Sequence, residues 1–472
     1  MTKKKTLLLI ILSVPILLTF AVFRLVYRTS VEPRCNFRQS LTQYKDFQRI
    51  SYEVYDAVFL SMFPIDNYKE ADFSYYRGLT VLKTDNILQG ASDFERYFNH
   101  IAQTDNPVST AYLGICPEKI TVAEISELVQ CYPSISFEIV LIAPSAAYWQ
   151  KLSEEEYSEN LNACQTFLAD AGQCSDAKFF FLSAESWLVN NPANYIDDIT
   201  FSEDIAHKIL AYTFHDSFYQ ITAENSEELI QKVHSEVTAA RENAITYPDL
   251  SEYEIVFWGD SVIGNYTDST SIPGVVNGLT GATVYNCGYG GNSAAMAPDL
   301  IISLPGIVDA FFAHNLSVIP EGEQVYEGTK AYFNYVHDTQ RQCYVINYGL
   351  NDYFQAFPIS SDDSFDITTY AGALRTAVKT IRENSPESQI ILCTPTYTAY
   401  AQDESDDSAD VRLEDYVDAV IALGDELSVD VLDNYYSLGI NFSNHEEYLL
   451  DMVHPNEKGR FIIAQRIIEA IR

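Results

Sequence analysis

Positive charge is what this 472-residue chain most lacks: 29 Lys and Arg stand against 66 Asp and Glu, a net charge of −37. Six of the basic residues but only one acid, Glu32, fall in positions 1 to 34, which leaves 23 basic and 65 acidic residues from position 35 onward, a net of −42. Such a surface repels phosphate backbones and anionic lipid headgroups, so nucleic acid is excluded as a partner. It also repels a polyanionic wall polymer unless metal ions or a local basic patch intervene. Metal-ligand spacing is missing as well, since no pair of His or Cys residues is placed as a zinc site requires. Nothing in the chain calls for a metal or another cofactor. His100, His207, His234, His314, His337 and His445 have no partner pattern and read as surface residues. His215, within Tyr212-Thr213-Phe214-His215-Asp216, reads as packing. The eight cysteines do not define a redox compartment. Cys287, Cys343 and Cys393 sit in or beside expected core strands as small buried hydrophobes. Cys164 with Cys174, and Cys116 with Cys131, could pair, and spacing leaves the connectivity open.

One long apolar run is present, from Thr6 to Phe23, behind Lys3, Lys4 and Lys5 and ahead of Arg24 and Arg28. Eighteen such residues just span a bilayer. No small-x-small cleavage site follows, so an uncleaved signal anchor is expected, kinked at Pro15. The positive flank puts the N-terminus in the cytoplasm and the chain from about 35 onward outside it, a single-pass membrane protein with an extracytoplasmic body. An apolar fraction of 47% is ample for packed cores.

The chemistry-bearing residues occur in an ordered set. Gly259-Asp260-Ser261 follows the apolar run Ile255 to Trp258, Asn286-Cys287-Gly288-Tyr289-Gly290-Gly291-Asn292 follows Thr283 to Tyr285, and Gly349-Leu350-Asn351-Asp352 follows Tyr344 to Asn347. Asp451-Met452-Val453-His454-Pro455 closes the set some 190 residues after the first piece. Short apolar runs bounded by Gly and Asn mark the strands of a buried parallel sheet. Reactive groups in open α/β sheets sit just past the carboxyl ends of such strands. Ser261 is then the candidate nucleophile, His454 its base, and Asp451 the carboxylate that orients the ring. The backbone N–H groups of Ser261 and Gly291 and the amide of Asn351 are candidate oxyanion donors. Pro455 suits the first turn of a final helix running to Ile471. Each piece alone is also an ordinary turn or helix start; the order carries the assignment.

Over roughly residues 250 to 472 these blocks resemble the SGNH (GDSL-type) hydrolases. The resemblance implies a three-layer α/β/α, flavodoxin-like domain with a parallel sheet. It assigns Ser261 to the nucleophile, Gly291 and Asn351 to the second and third blocks, and Asp451 and His454 to the closing pair. Val262 stands where Leu is commonest, a conservative departure, and the crowding of Gly288, Gly290 and Gly291 leaves the oxyanion glycine open by one position.

The exported part before position 250 carries echoes of the same blocks. Val58 to Tyr68 matches Val256 to Tyr266 at five of eleven positions, with Phe63 on Ser261. Ile139 to Pro144 parallels Ile390 to Pro395, and Asp198 to Glu203 parallels Asp451 to Asn456 with Phe201 on His454. Shifts of about 198, 251 and 253 residues in one order point to an internal duplication. The expected organisation is a cytoplasmic tip and anchor (1–34), a degenerate α/β domain without a nucleophile or base (45–220), a connecting helix and linker (221–249), and the catalytic domain (250–472). Leu229, Ile230, Val233, Val237 and Ala240 define the face of that helix. The acidic run from Gln402 to Asp410 is a solvated loop at the catalytic edge, or a screen against anionic substrates.

Two functions are compatible with these features. One is an exported serine esterase or acyltransferase that removes or transfers an O-acyl group, an acetyl first of all, on an envelope or extracellular carbohydrate or a small ester. Similar families include polysaccharide deacetylases, lysophospholipase-like esterases and the envelope proteins that partner membrane-bound O-acyltransferases. The other is a non-catalytic glycan- or partner-binding protein, which requires the triad geometry to be broken.

Overall fold

The computed structural model describes residues 110–472, apart from 116–120, 131–132, 134–135, 142, 182–184, 196–197, 199–200, 203–204, 206–218, 243–246, 298–301, 338–340 and 403–411. The apolar run 6–23 with the anchor and topology read from it, the match at 58–68 including Phe63, the pair Cys116 and Cys131, and most of the acidic run lie outside the described residues. Among the described residues no helix is long and apolar enough to cross a membrane.

The N-terminal half runs β1 (Thr110–Ile115), α1 (Val122–Val129), β2 (Ser136–Leu141), α2 (Ala146–Lys151), α3 (Glu154–Gln173), β3 (Lys178–Phe181), α4 (Ser186–Val189), a 3₁₀ turn at Pro192–Asn194, and α5 (Ser226–Glu242). Its three strands are parallel in the order β1-β2-β3. Helix α3 starts at a reciprocal cap: Ser153 Oγ accepts from Glu156 N while the Glu156 carboxylate accepts from Ser153 N. Cys164 and Cys174 do not pair. They lie ten positions apart across one helix and its C-cap, about 15 Å of rise, far beyond disulfide reach. Helix α5 buries Val233, Val237 and Ala240, as its period requires. It is more than a connector: Arg241 Nη1 donates to Trp149 O and Leu152 O at 2.9 Å, and Gln150 Nε2 donates to Ala240 O at 2.9 Å, fastening it to α2 and the start of α3.

The C-terminal half runs β4 (Tyr253–Gly259), α6 (Ser261–Gly264), α7 (Ile272–Thr280), β5 (Thr283–Asn286), α8 (Leu304–Phe312), α9 (Gln324–Phe333), β6 (Arg341–Asn347), α10 (Leu350–Phe354), α11 (Tyr370–Asn384), β7 (Gln389–Cys393), α12 (Leu413–Leu427), β8 (Asp430–Leu432), α13 (His445–Tyr448) and α14 (Glu457–Ala470). All five strands are parallel, in the order β5-β4-β6-β7-β8. With β4 counted first this is the 2-1-3-4-5 order of flavodoxin-like sheets. Alternate residues feed two cores: Ile255 and Phe257 face one with α7 and α14, while Val256 and Trp258 face the other with α8 and α11. Trp258 stacks on Tyr344 of the neighbouring strand, centroids 5.3 Å apart. The first core runs on into the N-terminal half without a break. Helix α14 starts at Glu457, capped by Asn456 Oδ1 accepting from Gly459 N at 3.0 Å, so Pro455 lies outside the helix and bridges Leu449 instead.

Three backbone contacts of the N-terminal half recur in the C-terminal half at an offset of 254 residues. Ser145 N donates to Asp198 O as Ala399 N donates to Met452 O, Ser202 N to Asn194 O as Asn456 N to Tyr448 O, each at 2.8 Å, and the bridge Tyr195–Phe201 matches Leu449–Pro455. In these contacts Phe201 stands where Pro455 does, one position from the sequence match that set it on His454.

His337, read as a surface residue, is not one. Its Nδ1 lies 2.7 Å from both carboxylate oxygens of the buried Glu254, its Nε2 lies 2.7 Å from Tyr332 O, and its ring stacks on Tyr332 at 3.9 Å.

A Cβ at Gly328 of α9 would stand 2.1 Å from Asn286 O. Gly328→Ala is therefore expected to cost about 1–3 kcal/mol in chemical unfolding, through a displaced α9.

Candidate active site

Strand β4 is hydrogen-bonded on both sides and buried along its whole length, so the chain leaves it at a fixed point. Asp260, fully buried, caps the four-residue helix α6 by accepting from Val262 N at 3.0 Å. Ser261 is the first residue of that helix, so its N–H precedes the intrahelical ladder. Its hydroxyl is half-buried at the carboxyl end of β4, beside the point where the strand order reverses between β4 and its neighbours.

The Asp451–His454 loop is built by one carboxylate. Asp451 Oδ1 accepts from Val453 N at 2.8 Å and His454 N at 2.6 Å, which curls the loop so that His454 Nδ1 meets Asp451 Oδ2 at 2.7 Å. The three-residue spacing works because the carboxylate bonds backbone and ring of the same short turn. His454 Nε2 then lies 3.0 Å from Ser261 Oγ across 193 residues of chain. With Asp451 accepting from Nδ1–H, Nε2 is left to accept the serine proton. Burial pushes the Asp451 carboxyl up, but the hydrogen bond and charge of His454 and the two N–H groups outweigh it and hold the carboxyl below its ordinary range. The loop is held from outside by Ala399 N and Thr398 Oγ1, both donating to Met452 O at 2.8 Å.

The glycine cluster divides its work. Gly264 and Gly288 face each other backbone to backbone, where a Cβ on Gly264 would stand 2.5 Å from Gly288 C and one on Gly288 2.7 Å from Gly264 N. That contact brings the 288–292 loop beside α6. Gly290 faces Asn265, and only Gly291 takes a left-handed φ, +80°. Asn351 Nδ2 donates to Asn292 O at 2.9 Å, which ties α10 to the same loop and leaves its second amide hydrogen for an oxyanion. All five residues singled out in the sequence, Ser261, Gly291, Asn351, Asp451 and His454, therefore lie on loops at one edge of the sheet.

Three organising residues were missed. Asn286 Nδ2 donates to Ile263 O at 3.0 Å and Tyr266 O at 2.9 Å, while its Oδ1 accepts from Gly288 N at 3.1 Å, joining α6 to the glycine loop. Asp352, fully buried, accepts from Ala294 N at 3.0 Å and Ala295 N at 2.8 Å. Arg460 is described below. The first two adjoin recognised blocks, and that adjacency was their signal; Arg460 had none. Burial pushes Asp260 up to about 6 and Asp352 up to about 7, against the N–H groups that lower them.

Exposed apolar side chains surround the loops: Met296 four residues past Asn292, Phe354 three past Asn351, Met452 inside the base loop, and Tyr400 beside Ala399. A surface concavity of about 470 Å³ between Leu316 and Tyr326 is lined by none of the five site residues. Among the described residues no group of His, Cys, Asp and Glu is arranged to hold a metal ion.

The model of the GDSL-like lipase/acylhydrolase family matches residues 257–460. No curated protein matches the chain. Solved structures similar to it include an acetyl xylan esterase (18% identity, 46% of this chain and 100% of that one, TM-score 0.32), a possible lipase from Chitinophaga pinensis (19%, 46% and 97%, 0.30), and a carbohydrate acetylesterase from Sinorhizobium meliloti (12%, 46% and 97%, 0.29).

Asp451→Asn is expected to lower kcat on the order of 10⁴-fold with little change in KM, because the amide cannot hold the Nδ1–H tautomer; steady-state kinetics test it. The buried carboxyls give a second expectation. A folded pKa raised above the unfolded one contributes stability below the unfolded value and loses it as pH rises through the folded value. The chain should therefore lose stability through Asp260 and Asp352 between about pH 4 and 7. In thermal melts across that range, Asp352→Asn should show a smaller pH-dependent decline than the wild type.

Proposed function

We propose, on the premise that residues 257–460 belong to the GDSL-like lipase/acylhydrolase family and make the chain a serine ester hydrolase or acyltransferase, that it works through an acyl-serine at Ser261 on an O-acylated carbohydrate outside the cytoplasm. Ser261 Oγ attacks the acyl carbonyl carbon while its proton passes to His454 Nε2. The new oxyanion takes hydrogen bonds from Ser261 N–H, Gly291 N–H and the Asn351 amide. Collapse breaks the ester C–O bond, and the imidazolium returns its proton to the departing alcohol. Water or a hydroxyl acceptor, deprotonated by His454, then releases the acyl group and regenerates Ser261 Oγ–H. Asp451 stays ionised throughout and steadies the imidazolium.

The observation that carries the reading is the unbroken hydrogen-bond line from Ser261 Oγ to His454 Nε2 at 3.0 Å and from His454 Nδ1 to Asp451 Oδ2 at 2.7 Å. It weighs against a non-catalytic binding protein, which needs that line broken. Support for a carbohydrate comes from the exposed rings of Phe354 and Tyr400 near the site, which suit the apolar face of a sugar. Export and anchoring follow from the run Thr6 to Phe23 behind three lysines. A membrane-bound O-acyltransferase as donor partner belongs to the transferase form of the same chemistry.

The test is release of p-nitrophenol from p-nitrophenyl acetate by the full-length chain, then of acetate from an acetylated polysaccharide. Ser261→Ala should abolish turnover of both, and Asn351→Ala should lower kcat about 100- to 1000-fold. Equal rates for wild type and Ser261→Ala would reject the acyl-serine mechanism.

A further inference from the structure

The loop between α6 and α7 is bonded to the N-terminal half and, through Arg460, to the base loop. On its C-terminal side stands Arg460, in the first turn of α14 and fully buried. Its guanidinium lies 3.7 Å from the centre of the Tyr266 ring. Nε donates to Thr270 O at 2.7 Å and Nη2 to Thr270 Oγ1 at 3.0 Å. Nη1 donates at 2.8 Å to Pro455 O, the carbonyl of the residue that follows His454. Glu457, itself buried, supplies the counter-charge at 3.0 Å.

One residue before Thr270, the same loop is bonded to the other half of the chain. Ser269 O accepts from Asn191 Nδ2 at 2.9 Å, and Ser269 Oγ donates to Asn194 Oδ1 at 2.9 Å. Both asparagines are fully buried, and Asn194 Nδ2 is held in turn by Trp187 O at 3.0 Å and Leu188 O at 3.1 Å. Helix α4 of the N-terminal half also packs against α14.

We propose that the N-terminal half is a positioning element for the His454 imidazole, acting through Asn191 and Asn194, the Ser269-Thr270 segment and Arg460. The proposal rests on the reading of Ser261, His454 and Asp451 given above. A guanidinium with all three nitrogens engaged and a ring against its face has one orientation, because its donors are fixed in a planar fork. A buried amide that loses its partner pays the full desolvation cost, so the asparagines hold Ser269 in one place. The Pro455 carbonyl is one peptide from His454, and a shift there moves Nε2 off the Ser261 hydroxyl. The bonds of Arg460 to Thr270 and Pro455, and of the asparagines to Ser269, act on the base through its loop and set its position.

The experiment compares full-length wild type with Asn194→Ala, Ser269→Ala and Arg460→Lys. Arg241→Ala is the control, since its bonds go to Trp149, Leu152 and Glu154 inside the N-terminal half. Each protein is assayed for kcat and KM on p-nitrophenyl acetate, for its thermal midpoint, and for the downfield proton resonance of His454 Nδ1–H. The three network variants should lose about tenfold or more in kcat with KM within about twofold, and should move or broaden that resonance. Arg241→Ala should lower the midpoint and change neither. The proposal is overturned if the network variants keep wild-type kcat and an unmoved resonance, or if Arg241→Ala loses kcat equally. Ser269→Ala removes one hydroxyl only and keeps the comparison decisive should a larger change prevent folding. If the wild type shows no Ser261-dependent turnover, the acyl-serine reading fails on its own, and the resonance still decides the positioning network.

Discussion

Strand β4, paired on both edges and buried on both faces, is the constraint on which the site depends. Its backbone groups have no alternative to the ladders with β5 and β6, so its carboxyl end is a fixed exit. Parallel pairing sends β5, β6, β7 and β8 to the same edge. Four loops therefore meet there regardless of their separation in sequence. The nucleophile, the glycine loop, Asn351 and the base loop are each the first few residues past a strand end or a loop packed on one. The sheet sets which loops meet at this edge, and side-chain bonds such as those of Arg460 to Thr270 and Pro455 hold the base loop within it.

Polar groups inside this edge are arranged by sign. Asp451 accepts three hydrogen bonds from its own turn and is held ionised. Asp260 and Asp352 lie deeper, receive backbone N–H groups, and are pushed toward the protonated form by burial. Among the described residues Arg460, with its partner Glu457, is the one fully buried cation, and it bonds the carbonyl that closes the base loop. Carboxylates of one residue type thus shift in opposite directions, because hydrogen bonds and the His454 charge outweigh burial at Asp451 and burial outweighs them at Asp260 and Asp352.

The two halves share three backbone contacts at an offset of 254 residues, and the candidate site residues lie in the C-terminal one. A continuous apolar core and the Asn191–Ser269 and Asn194–Ser269 bonds make the halves one packed body. The N-terminal half thereby forms a wall against which α7 and α14 are set.

The sequence by itself determined the elements whose causes are local. The runs Ile255–Trp258 and Tyr344–Asn347, the period of Val233, Val237 and Ala240, and the turn chemistry of Gly-Asp-Ser and Asp-x-x-His are each legible because strand, helix and turn propensities act over a few residues. Their order in the chain also singled out five candidate residues that the fold brings to one edge of the sheet. What it did not determine was anything decided by burial between distant segments. Arg460 looked like one more basic residue on a helix, His337 like a surface histidine, and Asp352 like part of a turn. Their partners, Thr270, Glu254 and the Ala294–Ala295 backbone, lie 190, 83 and 57–58 residues away. The sequence match of Asp198 to Glu203 with Asp451 to Asn456 set Phe201 on His454, one position from where the bridge puts it. Alternation in sequence cannot fix a loop's length, whereas the bridge Tyr195–Phe201 against Leu449–Pro455 does. Hydrogen bonds across the fold, made only once the parallel sheet has closed, decided these points.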